Sequence, residues 1–267
     1  MKISVFYAHV REAAAQAACD PKDLLPVLTG AGITGLEMDL NELGDLPGTK
    51  AMLDEAGMEV SNICCMFRWE NGPAPARSQA LLEAAAYLGC HKIMPIPGFF
   101  PEGCDREAVL EQMAACLAEL YADAAAAGLT VSLEDYDNAA SPIASASGMK
   151  WFADRVPGVG FTFDTGNFNY VGEDELEDFE LLKDRILHIH CKDRADRALN
   201  GEAPQITVDG RKIYPCAFGS GFIRTDEILE RLKAIGYDDY LTIEHYGAAD
   251  QLNTILQSAR YLRRALQ

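Results

Sequence analysis

Residues 105–134 read DREAVLEQMAACLAELYADAAAAGLTVSLE, and this stretch decides the fold. Val109, Met113, Cys116, Leu120 and Ala124 recur at three- and four-residue steps, the spacing that lines one face of a helix lying on a sheet. Gly128 stands where that helix needs a C-terminal cap, and the β-prone run Thr130–Glu134 follows at once. The same order of helix, glycine and strand recurs at LGC before Lys92 and at IGY before the run that contains Glu244.

Outward from this unit, strand-like runs occur at Ile3–Tyr7, Leu36–Leu40, Val60–Met66, Lys92–Ile96, Gly160–Asp164, Ile186–His190 and Tyr240–Glu244. Helix-forming segments separate most of them. Parallel neighbours need long crossovers, so this alternation predicts a parallel sheet, and eight units close as a (β/α)8 barrel. An open doubly wound sheet is the alternative, but the first βα turn, FYAHVREA, lacks the G-x-G-x-x-G of dinucleotide folds. No proline- or serine-rich linker divides the chain, so residues 1–267 are read as one domain. From His190 to Glu244 there are 54 positions, about twice the usual unit here. Within them, ITV-DG-RKIY has two β-prone arms around Asp209-Gly210, a hairpin signal. An insertion after the seventh strand lies on the face where barrel active sites are built; it is read as a flap, or equally as a contact in a homo-oligomer.

The net charge of −18 disfavours nucleic acid as a partner, since phosphate backbones demand clustered Lys and Arg. The eight cysteines form no C-x-x-C, which suits reduced, buried thiols rather than a disulfide frame. The N-terminus lacks a signal-peptide pattern, and no apolar run approaches the ~20 residues of a membrane span. A soluble, cytoplasmic protein without a membrane partner is expected.

Four consecutive predicted strands carry ionisable residues at their C-terminal ends: VSLEDYD with Glu134, FTFDTGN with Asp164, ILHIHCKD with His188 and His190, and YLTIEHY with Glu244. Carboxylates there are rare unless paired or bound to a cation. Side chains two apart share a strand face, so Ser132, Thr162, His188 and Thr242 lie beneath Glu134, Asp164, His190 and Glu244 as a polar second layer. Leu133, Phe163, Ile189 and Ile243 face outward to the helices. Three carboxylates and an imidazole suit one divalent metal ion, Mn²⁺ or Mg²⁺ first, with Co²⁺ and Zn²⁺ as alternatives. Ordinary polar residues bridged by Lys192 or Arg194 are the competing account.

The string H-x-H-x-K-D at 188–193, with GSG at 219–221, IGYDDY and LTIE, resembles the xylose isomerase-like superfamily of sugar (phosphate) isomerases and epimerases. The resemblance spans essentially the whole chain. It implies a TIM barrel with one divalent metal held by Glu134, Asp164, His190 and Glu244, and Glu134 and Glu244 as catalytic acid and base. The chemistry implied is proton transfer next to a carbonyl of a small carbohydrate, through a metal-stabilised enediolate. The chain departs from the pattern twice: Asn167 stands where many relatives have a sixth-strand histidine, and Ala140 where ketose 3-epimerases carry a further acid.

Candidate substrate-binding residues follow from placement near the strand ends. Asn167, Lys192 and Arg194 can contact hydroxyls or a phosphate. Arg68 and Trp69 follow the third strand as a guanidinium and an aromatic wall. His9 lies past the first strand, Glu37 sits on the second, and His188 is read chiefly as a hydrogen-bonding residue below the site. His245 and His91 receive no role. Other readings of the scaffold are a lyase of inosose dehydratase type, a non-catalytic sugar-binding barrel, and an AP endonuclease-type nuclease. Five histidines and the acidic charge argue against the last.

Overall fold

A computed structural model describes residues 1–267. The chain runs through β1 (Lys2–Phe6), β2 (Gly35–Asp39), β3 (Glu59–Met66), β4 (Lys92–Ile96), β5 (Thr130–Glu134), β6 (Gly160–Asp164) and β7 (Ile186–Cys191), then through three short strands, β8 (Asp193–Ala195), β9 (Gln205–Ile206) and β10 (Lys212–Cys216), to β11 (Tyr240–Ile243). Strands β1 to β7 and β11 close in chain order into one parallel barrel, β11 returning to pair with β1. This is the (β/α)8 architecture read from the sequence, with every strand boundary within a residue of the predicted one.

The unit at 105–134 shows why. Asp105 caps the helix Arg106–Ala126, its side chain accepting from the N–H groups of Glu107 and Ala108. Met113, Cys116, Leu117, Leu120 and Ala124 are buried along one face. Gly128 takes φ +74°, and Leu129 N–H donates back to Ala124 O, which satisfies an end carbonyl and turns the chain into β5. Burying those side chains contributes roughly 1.5–3 kcal/mol for each large one, before entropy is counted.

Strand residues divide between two interiors. Leu133, Phe163, Ile189 and Ile243 point outward to the helices and are fully buried. The lumen is polar: Ser4 Oγ and Thr242 Oγ1 are 2.6 Å apart, and Ser132 Oγ and Thr162 Oγ1 2.7 Å apart. Two register shifts serve this lumen. A slip between Leu36 and Glu37 sets Asn62 opposite Glu37, and one between Phe161 and Thr162 sets His188 opposite Thr162.

The long insertion holds the expected hairpin. Ile206 pairs with Lys212 and Gln205 with Ile213 around the Asp209-Gly210 turn, and β10 also pairs with β8 in an antiparallel sheet of order β8-β10-β9. All eight cysteines are free and six are buried. No helix is long and apolar enough to cross a membrane.

Candidate metal centre

The strand ends bring the four predicted residues together. Glu134 and Asp164 are the last residues of β5 and β6, His190 lies in β7, and Glu244 follows β11. One ligand atom from each lies within 4.8 Å of all the others, and all four side chains are buried. His190 Nδ1 is 2.6 Å from Glu134 Oε1 and 2.9 Å from Glu244 Oε2. Lys192 Nζ is 2.5 Å from Glu244 Oε1 and 3.0 Å from Asp164 Oδ2. Asp164 Oδ1 accepts from the N–H groups of Gly166 and Asn167. Its Oδ2, like Glu244 Oε2, has a cation nearby but no well-aligned hydrogen bond.

Burial and mutual repulsion set the electrostatics. Burial, with the neighbouring Glu244 charge, pushes Glu134 up to about 7 although His190 opposes it. Burial likewise raises Asp164 to about 6 against Lys192. Glu244 is buried too, but Lys192 and His190 outweigh that cost and hold it far below the carboxylate range. Burial disfavours a charged His190, yet Glu37 and Glu134 hold its pKa well above the ordinary value. Crowded carboxylates, two oxygens without good donors and an imidazole nitrogen facing them fit a divalent cation. Three oxygens and one nitrogen are a hard donor set, matching Mg²⁺ or Mn²⁺ and tolerating Zn²⁺ or Co²⁺.

Above the four residues opens a cavity of about 880 Å³. Glu134 and Glu244 reach it, as do Asn167, Lys192 and Arg194 of the candidate substrate set; Phe6, Met66, Met94, Ile96, Tyr136 and Tyr246 supply apolar wall. The insertion contributes Ala203, Pro204, Gln205 and Pro215, so the hairpin borders the cavity as a flap would. Asn167 is already engaged: its Nδ2 donates to Asp135 O at 2.7 Å, and its Oδ1 accepts from Lys192 Nζ at 2.8 Å and Arg194 Nη2 at 3.3 Å. Arg194 Nη2 also donates to Asp137 Oδ2 at 3.0 Å, which accepts from Gln205 Nε2 at 2.9 Å. This clamp ties the loop after β5 to the flap. Ala140 bears no acid, and Asp137 is the acid that this loop brings to the cavity.

Five other candidates sit elsewhere. Trp69 is buried against Phe67 with ring centroids 4.5 Å apart, under a short turn held by Gln112, and offers the cavity no face. Arg68 takes a left-handed conformation, leaves its side chain mostly exposed and lies 4.0 Å from Glu70. His9 is buried in a stack with His245 at 4.8 Å, its Nε2 accepting from the His245 N–H. Glu37 and His188 are fully buried in the lumen below the ligand cluster. Glu37 lies 2.8 Å from His188 Nε2 and 3.1 Å from His190 Nε2. Burial works against its charge, but His190 and His188 hold its pKa well below the carboxylate range. Burial and the Lys92 charge lower His188 to about 4, so it is neutral at pH 7. The layer beneath the ligands is therefore polar as expected, but Glu37 makes its link to them: Ser132 and Thr162 bond each other.

Asp135 is a further buried carboxyl that sequence reasoning passed over. Its Oδ1 accepts from the Asp164 N–H at 3.0 Å, and burial with the charges of Asp164 and Glu134 raises its pKa well above normal. The GSG string also gains a physical role. Gly219 and Gly221 N–H donate to Asp193 Oδ2 at 3.0 and 2.9 Å, and a Cβ on Gly221 would lie 2.2 Å from Arg194 O. The glycines wrap Asp193 and so fix the segment that carries Lys192 and Arg194.

A closed parallel barrel with a buried acid–histidine cluster at its C-terminal face defines the class: a TIM barrel with a candidate metal centre. The family model described as xylose isomerase-like TIM barrel matches residues 28–265, and the chain belongs to that family. Uncharacterized protein MJ1311 of Methanocaldococcus jannaschii is 26% identical over 180 residues, 65% of this chain; the match spans only 57% of that relative. Among solved structures, the probable 3-DHS dehydratase AsbF of Bacillus anthracis has a TM-score of 0.77 at 15% identity, covering 98% of this chain and 99% of that one. The 3-keto-D-glucoside 4-epimerase YcjR of E. coli has a TM-score of 0.71 at 19% identity, covering 91% and 94%. Others with this fold include an L-ribulose 3-epimerase and proteins crystallised with zinc or magnesium. At such identities the likeness is one of fold.

Proposed function

We propose that the protein is a divalent-metal-dependent isomerase or epimerase that moves a proton next to the carbonyl of an uncharged sugar. One observation carries the reading: Glu134, Asp164, His190 and Glu244 converge, buried, within 4.8 Å beneath a cavity of about 880 Å³. A divalent ion there supplies a Lewis acid for a substrate carbonyl and the hydroxyl beside it.

The chain's own residues do the rest. Glu134 faces the cavity from the end of β5, within reach of a bound sugar, which is the placement a general base needs. It accepts the proton from the carbon next to the carbonyl, and the C–H electron pair passes into an enediolate. Return of that proton to the neighbouring carbon isomerises; epimerisation instead puts a different proton on the same carbon from the opposite face, the side of Glu244 with the Lys192 ammonium 2.5 Å from it, while Glu134 keeps the one it took. Tyr136, Met94 and Tyr246 line the cavity as apolar wall.

The charge balance argues for an unphosphorylated substrate. Asp39, Glu42, Glu134, Asp137 and Glu244 line the cavity, against Lys192 and Arg194. Both cations are engaged by Glu244, Asp164 and Asp137. A divalent ion would add two positive charges and still leave the acids in excess, a field that repels anions.

A second reading, a lyase that expels a hydroxyl from the enediolate as water, is favoured by Lys192. Its ammonium stands on the cavity wall beside Glu244, where it can protonate a departing hydroxyl. Incubating metal-loaded protein with unphosphorylated ketoses and inososes in deuterated water, read by mass spectrometry, tests both. Solvent deuterium in the substrate without loss of water supports the isomerase or epimerase; loss of water supports the lyase. Absence of exchange and of water loss with every substrate contradicts both.

A further inference from the structure

Lys92 opens β4 at the end of the barrel away from the cavity. Its Nζ lies 2.9 Å from Asp239 Oδ2 and 2.9 Å from His188 Nδ1. An ammonium has three protons and no lone pair, so His188 Nδ1 must accept. The proton of the neutral ring is then on Nε2, which lies 2.8 Å from Glu37 Oε2. Glu37 Oε1 already accepts from Asn62 Nδ2 at 2.8 Å. As an acceptor, the Glu37 carboxylate also fixes its next neighbour: His190 Nε2 lies 3.1 Å from both oxygens and must carry a proton. The nitrogen left to bind a cation is His190 Nδ1, the one that faces Glu134 and Glu244.

We infer that Lys92 is a positioning residue: by donating to His188 Nδ1 it sets the tautomer of His188 and, through Glu37, that of His190, so that Nδ1 is presented to the metal. The chain of donors and acceptors crosses the lumen from the Asp239–Lys92 ion pair to the ligand cluster; the Thr242 hydroxyl, 2.9 Å from His188 Nε2, accepts from the same N–H. Groups that orient a ligating histidine change metal affinity by about 10–100-fold when removed. Asn62 completes the same carboxylate, which locks Glu37 against rotation.

The inference rests on the proposed metal centre, and the two can fail separately. Long-range ¹H–¹⁵N NMR of full-length protein with ¹⁵N-histidine, loaded with Zn²⁺, reports which nitrogen of each ring is protonated or ligated. The expected pattern is His188 protonated on Nε2, and His190 protonated on Nε2 with Nδ1 on the metal. Lys92→Met should scramble the His188 pattern and weaken Zn²⁺ binding by about 10-fold, and Lys92→Arg should restore both. Wild-type protein that binds one Zn²⁺ with His188 protonated on Nδ1 overturns the relay and leaves the metal centre standing. Two Zn²⁺ per chain also overturn it, because Glu37, His188 and His190 lie close enough together to ligate an ion themselves. Protein that binds no divalent ion overturns the metal centre itself. The wild-type spectrum decides the matter even where Lys92→Met does not fold.

Discussion

Glu134 and Glu244 reach the same atom: His190 Nδ1 lies 2.6 Å from one carboxylate and 2.9 Å from the other. The strands that carry them, β5 and β11, are separated around the barrel by β6 and β7, so only the closed barrel brings them together. Replacing either by Gln removes a charge and a ligand while keeping the shape. Glu134→Gln and Glu244→Gln should each lower turnover by ~10²–10⁴-fold and reduce the thermal stabilisation that added Mn²⁺ gives the wild type. Steady-state rates and melting curves with and without Mn²⁺ check this; a variant with full activity removes that residue from the mechanism.

Metal affinity should depend on pH, because a cation must displace protons. Without metal, Glu134 is raised to about 7 and Asp164 to about 6. Below these values both carboxyls hold protons that binding must expel; above about 7 both are ionised. His190 must lose its Nδ1 proton as well, over a higher range. Affinity should therefore rise with pH through 6 to 7, and calorimetry in buffers of different ionisation enthalpy should show more protons released at pH 6 than at pH 8. Equal release at both contradicts the assignment.

Gly221→Ala tests the packing that holds Lys192 and Arg194. Its Cβ would meet Arg194 O at 2.2 Å and Asp193 Oδ1 at 2.3 Å, far inside contact distance, so backbone must shift. Overpacking of this kind costs about 1–3 kcal/mol. Urea unfolding should show that loss together with a reduced kcat, whereas unchanged stability would mean that the segment is free to move.

Asp137→Asn should loosen the clamp between Arg194 and Gln205 and leave the guanidinium less neutralised. Removing a hydrogen-bonded charge partner costs about 1–3 kcal/mol. Inhibition by a sugar phosphate should become tighter in this variant, because one acid leaves the cavity. Inhibition constants for a phosphorylated and an unphosphorylated analogue check this; an unchanged ratio contradicts the charge argument for the substrate.

Strand positions were legible because apolar runs of fixed length alternate with helical periodicity and capping glycines, as at Gly128. The four candidate residues were legible because each stands at or beside the end of a strand whose inward neighbours are small or polar. Lys92 escaped notice, although its parity carries the signal: it shares a face with Met94 and Ile96, which line the cavity. Glu37 could be placed inward, but its partner Asn62 faces it through a register slip that no residue pattern announces, and His188 reaches it across the lumen from β7. Asp135 and Asp137 lie in a loop, where no periodicity aims a side chain. Trp69 was misplaced for the same reason: a short turn after β3 folds it inward under the helix that carries Gln112.

The central claim is that Glu134, Asp164, His190 and Glu244 hold one divalent ion. Anomalous diffraction from a crystal soaked in Mn²⁺, recorded near the manganese edge, tests it most directly. One strong peak is expected, about 2.0–2.3 Å from one oxygen of each carboxylate and from His190 Nδ1. A peak at other residues, or none at saturating Mn²⁺, contradicts it.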